Sequence, residues 1–95
     1  GQVCIAPQRY LVHEAVADEF IKHAANRMNA IQVGFGLDQG TDMGPLINQN
    51  QRNNLEALLK DAKAKGAEIV VGGSRGNFEK GYFHLPTLVQ NTAID

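Results

Sequence analysis

Ninety-five residues with 43% hydrophobic and 20% charged side chains, nine basic against ten acidic, describe one ordinary globular domain at most. The formal net charge of -1 excludes a polyanion as the organising partner, so neither nucleic acid nor an anionic membrane is expected. No apolar run approaches the ~20 residues of a membrane helix. One cysteine excludes an internal disulfide and points to a reducing, cytoplasmic setting.

The chain opens with GQVCIAPQR, which holds the only cysteine, Cys4. A short helical turn over GQVCIA would aim backbone N–H groups and a positive dipole end at the sulfur. Arg9 to His13, RYLVH, is β-prone and predicts a short buried strand. The period then changes: Val16, Phe20, Ala24 and Ile31, with Ile21 and Met28 beside them, form one helical stripe, and acidic residues crowd the first turns. An amphipathic helix from Glu14 to about Ala30 follows.

VGFGLDQGTDMGPLI carries four glycines and a proline, which predicts an ordered, irregular crossing. It is neither a dinucleotide fingerprint, since Gln39 stands where the third glycine belongs, nor a Walker loop. Asn48 is placed to cap a second helix and Gln51 to complete a capping box. Leu55, Leu58, Leu59 and Ala62 form its expected buried stripe, and Gly66 ends it in left-handed geometry. AEIVVGG predicts a buried strand, SRGNFEKG an exposed loop, and YFHLPTLVQ a last extended run whose Pro86 argues for an edge or a bulge.

Strand, helix, helix, strand and strand in this order predict an α/β fold with a small, mostly parallel sheet between helical layers, a three-layer α/β/α arrangement. Such a sheet of three strands has two open edges and too little helix to cover both faces. Together with a start that lacks methionine, this predicts a piece of something larger.

Residue type alone makes Cys4 an ordinary thiol more often than a nucleophile. His13, His23 and His84 lie far apart, and no ligand pairs share a helix face apart from the surface pair Glu19 and His23, so no metal site is expected. The acidic residues of the first helix are a terminal charge cluster.

GQVCIAPQR, however, resembles the active-site signature of the aldehyde dehydrogenase superfamily, in which Gly-Gln-x-Cys carries the catalytic thiol and an arginine follows five residues later. VADEFIKHAANRMNAIQVGFGLDQGTDMGPLI, AKAKGAEIVVGG and KGYFHLPTLV resemble further family segments in the same order, in a style similar to succinate-semialdehyde dehydrogenases. The resemblance implies that residues 1–95 are a partial catalytic domain, that Cys4 attacks a small aldehyde, and that NAD or NADP serves the whole enzyme. It implies that Gln51 reaches the nicotinamide ribose, against a plain capping or solvent-facing role. Asn54 departs from the lysine some members carry, and Ala6 excludes an adjacent-cysteine disulfide. The family's cofactor domain, oxyanion asparagine and general-base glutamate fall outside this sequence. The chain alone is therefore expected to be inactive, to bind no cofactor, to self-associate through apolar surface, and to come from a homo-oligomer. The alternative is a non-catalytic α/β interaction module derived from that domain.

Overall fold

Two sixteen-residue helices, α1 (Glu14–Asn29) and α2 (Gln49–Ala64), frame a small sheet in this computed structural model, which describes residues 2–91. The sheet pairs β1 (Glu68–Val71) with β2 (Leu88–Gln90), and both helices pack on β1. The α/β class expected from the sequence is the class found.

The ends of α2 follow their residues. Asn48, extended at φ -159° and ψ 176°, accepts a hydrogen bond from the Gln51 N–H at 2.9 Å, relieving one of the first turn's orphan donors. At the other end Gly66 sits at φ +93°. Its N–H reaches Lys63 O at 3.1 Å and that of Ala67 reaches Ala62 O at 2.9 Å, the paired bonds of a Schellman termination. The buried side of α2 comprises Arg52, Leu55, Glu56, Leu59 and Ala62, all half-buried; Leu58, expected among them, is 67% exposed.

The sheet is antiparallel, with Glu68 opposite Gln90, Ile69 opposite Val89 and Val71 opposite Leu88, and a bulge between Ile69 and Val71. The expected parallel order fails because no helix joins the strands; a loop over 72–87 doubles back, and parallel strands need a crossover. Pro86 stands two residues before β2 and does not enter the ladder, consistent with its missing donor. The segment Arg9 to His13 forms no strand among the described residues. It has no neighbour to pair with, and Tyr10 lies against Phe20 of α1 at 5.9 Å while Leu11 is 90% exposed. Among the described residues the sheet accordingly has two strands in place of the expected three.

The glycine-rich crossing is ordered at its neck. Gly34 N–H donates to Met43 O at 3.0 Å, Asp42 N–H to Gln32 O at 2.8 Å, and the Gln32 N–H to the Asp42 carboxylate at 2.9 Å. Phe78 stacks on Phe83 at 4.2 Å, so the SRGNFEKG loop, expected to be exposed, turns one aromatic inward.

Few side chains are fully enclosed: among the described residues Val71 and His84 alone are buried. The radius of gyration is 14.0 Å, against about 12.4 Å for a compact domain of this length. Accessible surface is 7633 Å², where a globular chain of 10.3 kDa exposes about 5,400 Å². Large apolar side chains are among those exposed, including Ile5, Leu11, Leu37, Ile47 and Leu58.

Candidate active site

Cys4 is a free, exposed thiol at the corner of a tight turn that the Ala6 N–H closes on Val3 O at 2.9 Å. The turn does not extend into the expected short helix. Continuing it would need a donor from residue 7 to Val3 O, and Pro7 has none while also steering Ala6 away from helical angles. Gly1 of that expected helix lies outside the described residues.

Gln2, before the turn, takes φ +65°, a left-handed conformation unusual for a residue with a side chain. Its amide grips one edge of the Pro45–Ile47 backbone: Nε2 donates to Pro45 O at 3.3 Å, and Oε1 accepts from the Ile47 N–H at 3.0 Å. On the opposite edge the Leu46 N–H donates to Tyr82 O at 2.9 Å. An extended chain presents alternate peptides to opposite sides, so this segment is held from both.

The same segment leads into α2. Arg52, in its first turns, donates from Nη1 to Gly81 O at 3.0 Å and lies over the Tyr82 ring at 5.6 Å. Gln51 is exposed; its backbone N–H is spent on the cap, while its side chain makes no return bond to Asn48, so the expected capping box is half formed. Among the described residues its side-chain amide makes no hydrogen bond, so a donor and an acceptor stay open there. The structure thus ties the Cys4 turn to the segment that ends four residues before Gln51, and Asn54 lies further along the same helix.

Farther along α2, Glu56 and Arg75 form a two-pronged pair: Nη2 reaches Oε1 at 2.7 Å and Nε reaches Oε2 at 3.0 Å. The Arg75 hydrogen bond holds the Glu56 carboxyl below its ordinary 4.5, with smaller help from the charges of Arg75, Arg52 and His84, and against the cost of partial desolvation. Glu56 also lines a surface cleft of about 310 Å³, together with Leu59, Lys60, Lys63, Ile69 and Gly73, and neither Cys4 nor Gln51 borders it.

The histidines hold structural places. His13 caps α1, its Nδ1 accepting from the Ala15 N–H at 3.1 Å. His23 lies 4.0 Å from Glu19 on the surface. His84 is buried, with Nδ1 2.8 Å from Leu85 O, the spacing of a donated hydrogen bond. Among the described residues no three His, Cys, Asp or Glu side chains are placed to hold a metal ion, and no helix is long and apolar enough to cross a membrane. Sequence reasoning gave Gln2 no role of its own, although the Gly-Gln-x-Cys pattern places it two residues before the cysteine.

The sequence profile of the aldehyde dehydrogenase family matches residues 1–95. The chain is 40% identical over 95 residues to the NADP(+) succinate-semialdehyde dehydrogenase 2 of Schizosaccharomyces pombe, covering all of this chain and 19% of that protein. It is 40% identical over 96 residues to the mitochondrial succinate-semialdehyde dehydrogenase of Mus musculus, covering 100% and 18%. Among solved structures, the succinate-semialdehyde dehydrogenase of Burkholderia pseudomallei superposes with a TM-score of 0.92 at 35% identity, over 98% of this chain and 19% of that one. The betaine aldehyde dehydrogenase of Staphylococcus aureus in complex with NAD+ gives 0.88 at 38% identity, over 97% and 19%. The chain thus spans under a quarter of the length of these relatives.

Proposed function

Because this chain belongs to the aldehyde dehydrogenase family, we propose that it supplies the nucleophile of an enzyme that oxidises a small aldehyde to a carboxylic acid. The observation that carries this reading is the single cysteine of the chain, exposed at the corner of a turn tied down by its neighbour Gln2. Succinate semialdehyde is the first candidate substrate, on the strength of relatives of that name at about 40% identity.

Cys4 acts as a thiolate whose Sγ adds to the aldehyde carbon, forming a thiohemiacetal while the carbonyl oxygen takes the negative charge. The Cys4 N–H, at the turn corner, assists by hydrogen-bonding that oxygen. A bound NAD(P)+ would supply the hydride acceptor that this carbon needs to reach the oxidation level of a thioester held on Cys4. Water then breaks the C–S bond, the acid departs, and Cys4 returns as the thiol. Gln51 fits the cofactor by its free amide, whose donor and acceptor match a ribose hydroxyl. We place the base that activates this water outside these ninety-five residues. On that reading the 95-residue chain by itself oxidises no aldehyde.

A hybrid tests the assignment: residues 1–95 replace the matching stretch of the S. pombe relative. The expected result is NADP+ reduction dependent on succinate semialdehyde that falls by ~10³-fold or more in Cys4→Ala. A hybrid that keeps its rate without Cys4 overturns the reading. A hybrid that folds, binds NADP+ and stays inert supports the interaction module instead.

A further inference from the structure

We infer that Gln2 is the positioning residue of the Cys4 turn: its amide sets where the thiol stands relative to the first turn of α2. The inference rests on reading Cys4 as the nucleophile, and adds what holds it.

Among the described residues the turn over 3–6 has one internal hydrogen bond, Ala6 N–H to Val3 O, and its side chains are exposed or half-buried. Packing therefore does little to place it. Its polar tie to the rest of the chain is the Gln2 amide, which bonds the Pro45 carbonyl and the Ile47 N–H at once. That pair matches one side chain in particular. An amide offers a donor and an acceptor side by side, the complement of one edge of an extended strand; a carboxylate lacks the donor, and an ammonium lacks the acceptor. Pro45 adds to the specificity, because it has no N–H of its own and leaves its carbonyl as the group to be met.

The backbone supports the same conclusion. A left-handed φ of +65° is unfavourable for glutamine, and such outliers persist where the surroundings hold them. Here the hold is the two-pronged bond, which turns the side chain toward Pro45–Ile47 while the chain turns away toward Cys4. Because Leu46 is fixed from the other edge by Tyr82, and Arg52 of α2 is fixed to Gly81, the tie runs from the thiol turn through a braced segment into the helix that carries Gln51.

The 95-residue chain tests this without any aldehyde or cofactor, so its outcome is independent of whether Cys4 performs the proposed chemistry. Cys4 is the single cysteine, so a nitroxide label attaches there alone. Paramagnetic broadening of the Ile47 to Gln51 amides reports the distance of the turn from α2. In Gln2→Gly, which relieves the backbone and removes both bonds, this broadening should fall, and the Ile47 amide should exchange about fivefold faster or more, the loss of a hydrogen bond of about 1 kcal/mol. Gln2→Glu, which keeps the shape and the acceptor, should reduce the broadening while sparing Ile47. The Leu46 and Leu85 amides, held by Tyr82 and Ser74, should keep their protection in both variants. Unchanged broadening in Gln2→Gly would overturn the inference. So would equal loss of protection at Ile47, Leu46 and Leu85, which would make Gln2 a general stabiliser.

Discussion

A single ion pair shows how far one residue's surroundings reach. Glu56 accepts a two-pronged hydrogen bond from Arg75, and this lowers its carboxyl from 4.5. A carboxyl more acidic in the folded than in the unfolded chain stabilises the fold above its unfolded value, and that contribution is lost as pH falls through the folded one. Glu56→Gln should therefore lower the melting temperature at pH 7, and the gap to the wild type should close as the pH drops below 4.5. Thermal scans of both proteins across acid pH check this; a gap that persists in acid would show that the pair acts through packing. The sequence did not announce the pair, because nineteen residues separate its partners and only the fold of the 72–87 loop brings them together.

At the scale of elements, the sharpest constraint lies where β1 turns away from the sheet. Gly72 takes φ +72°, and a Cβ built there would stand 2.2 Å from Pro86 O. The next residue, Gly73, donates its N–H to Thr87 Oγ1 at 3.0 Å, locking the same crossing. Gly72→Ala should cost roughly 2–3 kcal/mol, combining the left-handed penalty with forced backbone movement. Urea denaturation measures it, and a change under about 0.5 kcal/mol would contradict the geometry. This glycine was legible only as a strand stop. The helices were legible in more detail: Asn48 and Gly66 do what their types predict, because caps are local chemistry that a few residues settle. Strand pairing is a long-range property, so RYLVH read as a strand although nothing among the described residues pairs with it, and the direction of the sheet was hidden in the return path of a loop. Leu58 fits the helical stripe by spacing, yet faces out because the chain brings nothing to cover it. For the candidate site, the sequence resemblance singled out Cys4 and Gln51, while the tie between their segments was not legible because the partners of Gln2, Pro45 and Ile47, lie more than forty residues along the chain.

The whole molecule exposes more surface than its mass warrants, and much of that surface is large apolar side chains. Burial of such side chains is favourable by roughly 25 cal/mol per Å², so copies of the chain in solution have a strong reason to meet. Light scattering of the 95-residue chain should show self-association that grows with concentration; a monodisperse monomer at high concentration would contradict it. The two helices and the sheet serve, on this account, to carry a loop-borne thiol and to hold it near the start of α2. Trapping the acyl group is the most direct measurement of that claim. The hybrid enzyme is mixed with succinate semialdehyde and NADP+, quenched in acid during turnover, digested, and weighed by mass spectrometry. The account predicts a succinyl mass increase on the peptide that contains Cys4 and its absence when NADP+ is omitted; rapid turnover with that peptide unmodified, and the acyl group found elsewhere, would contradict it.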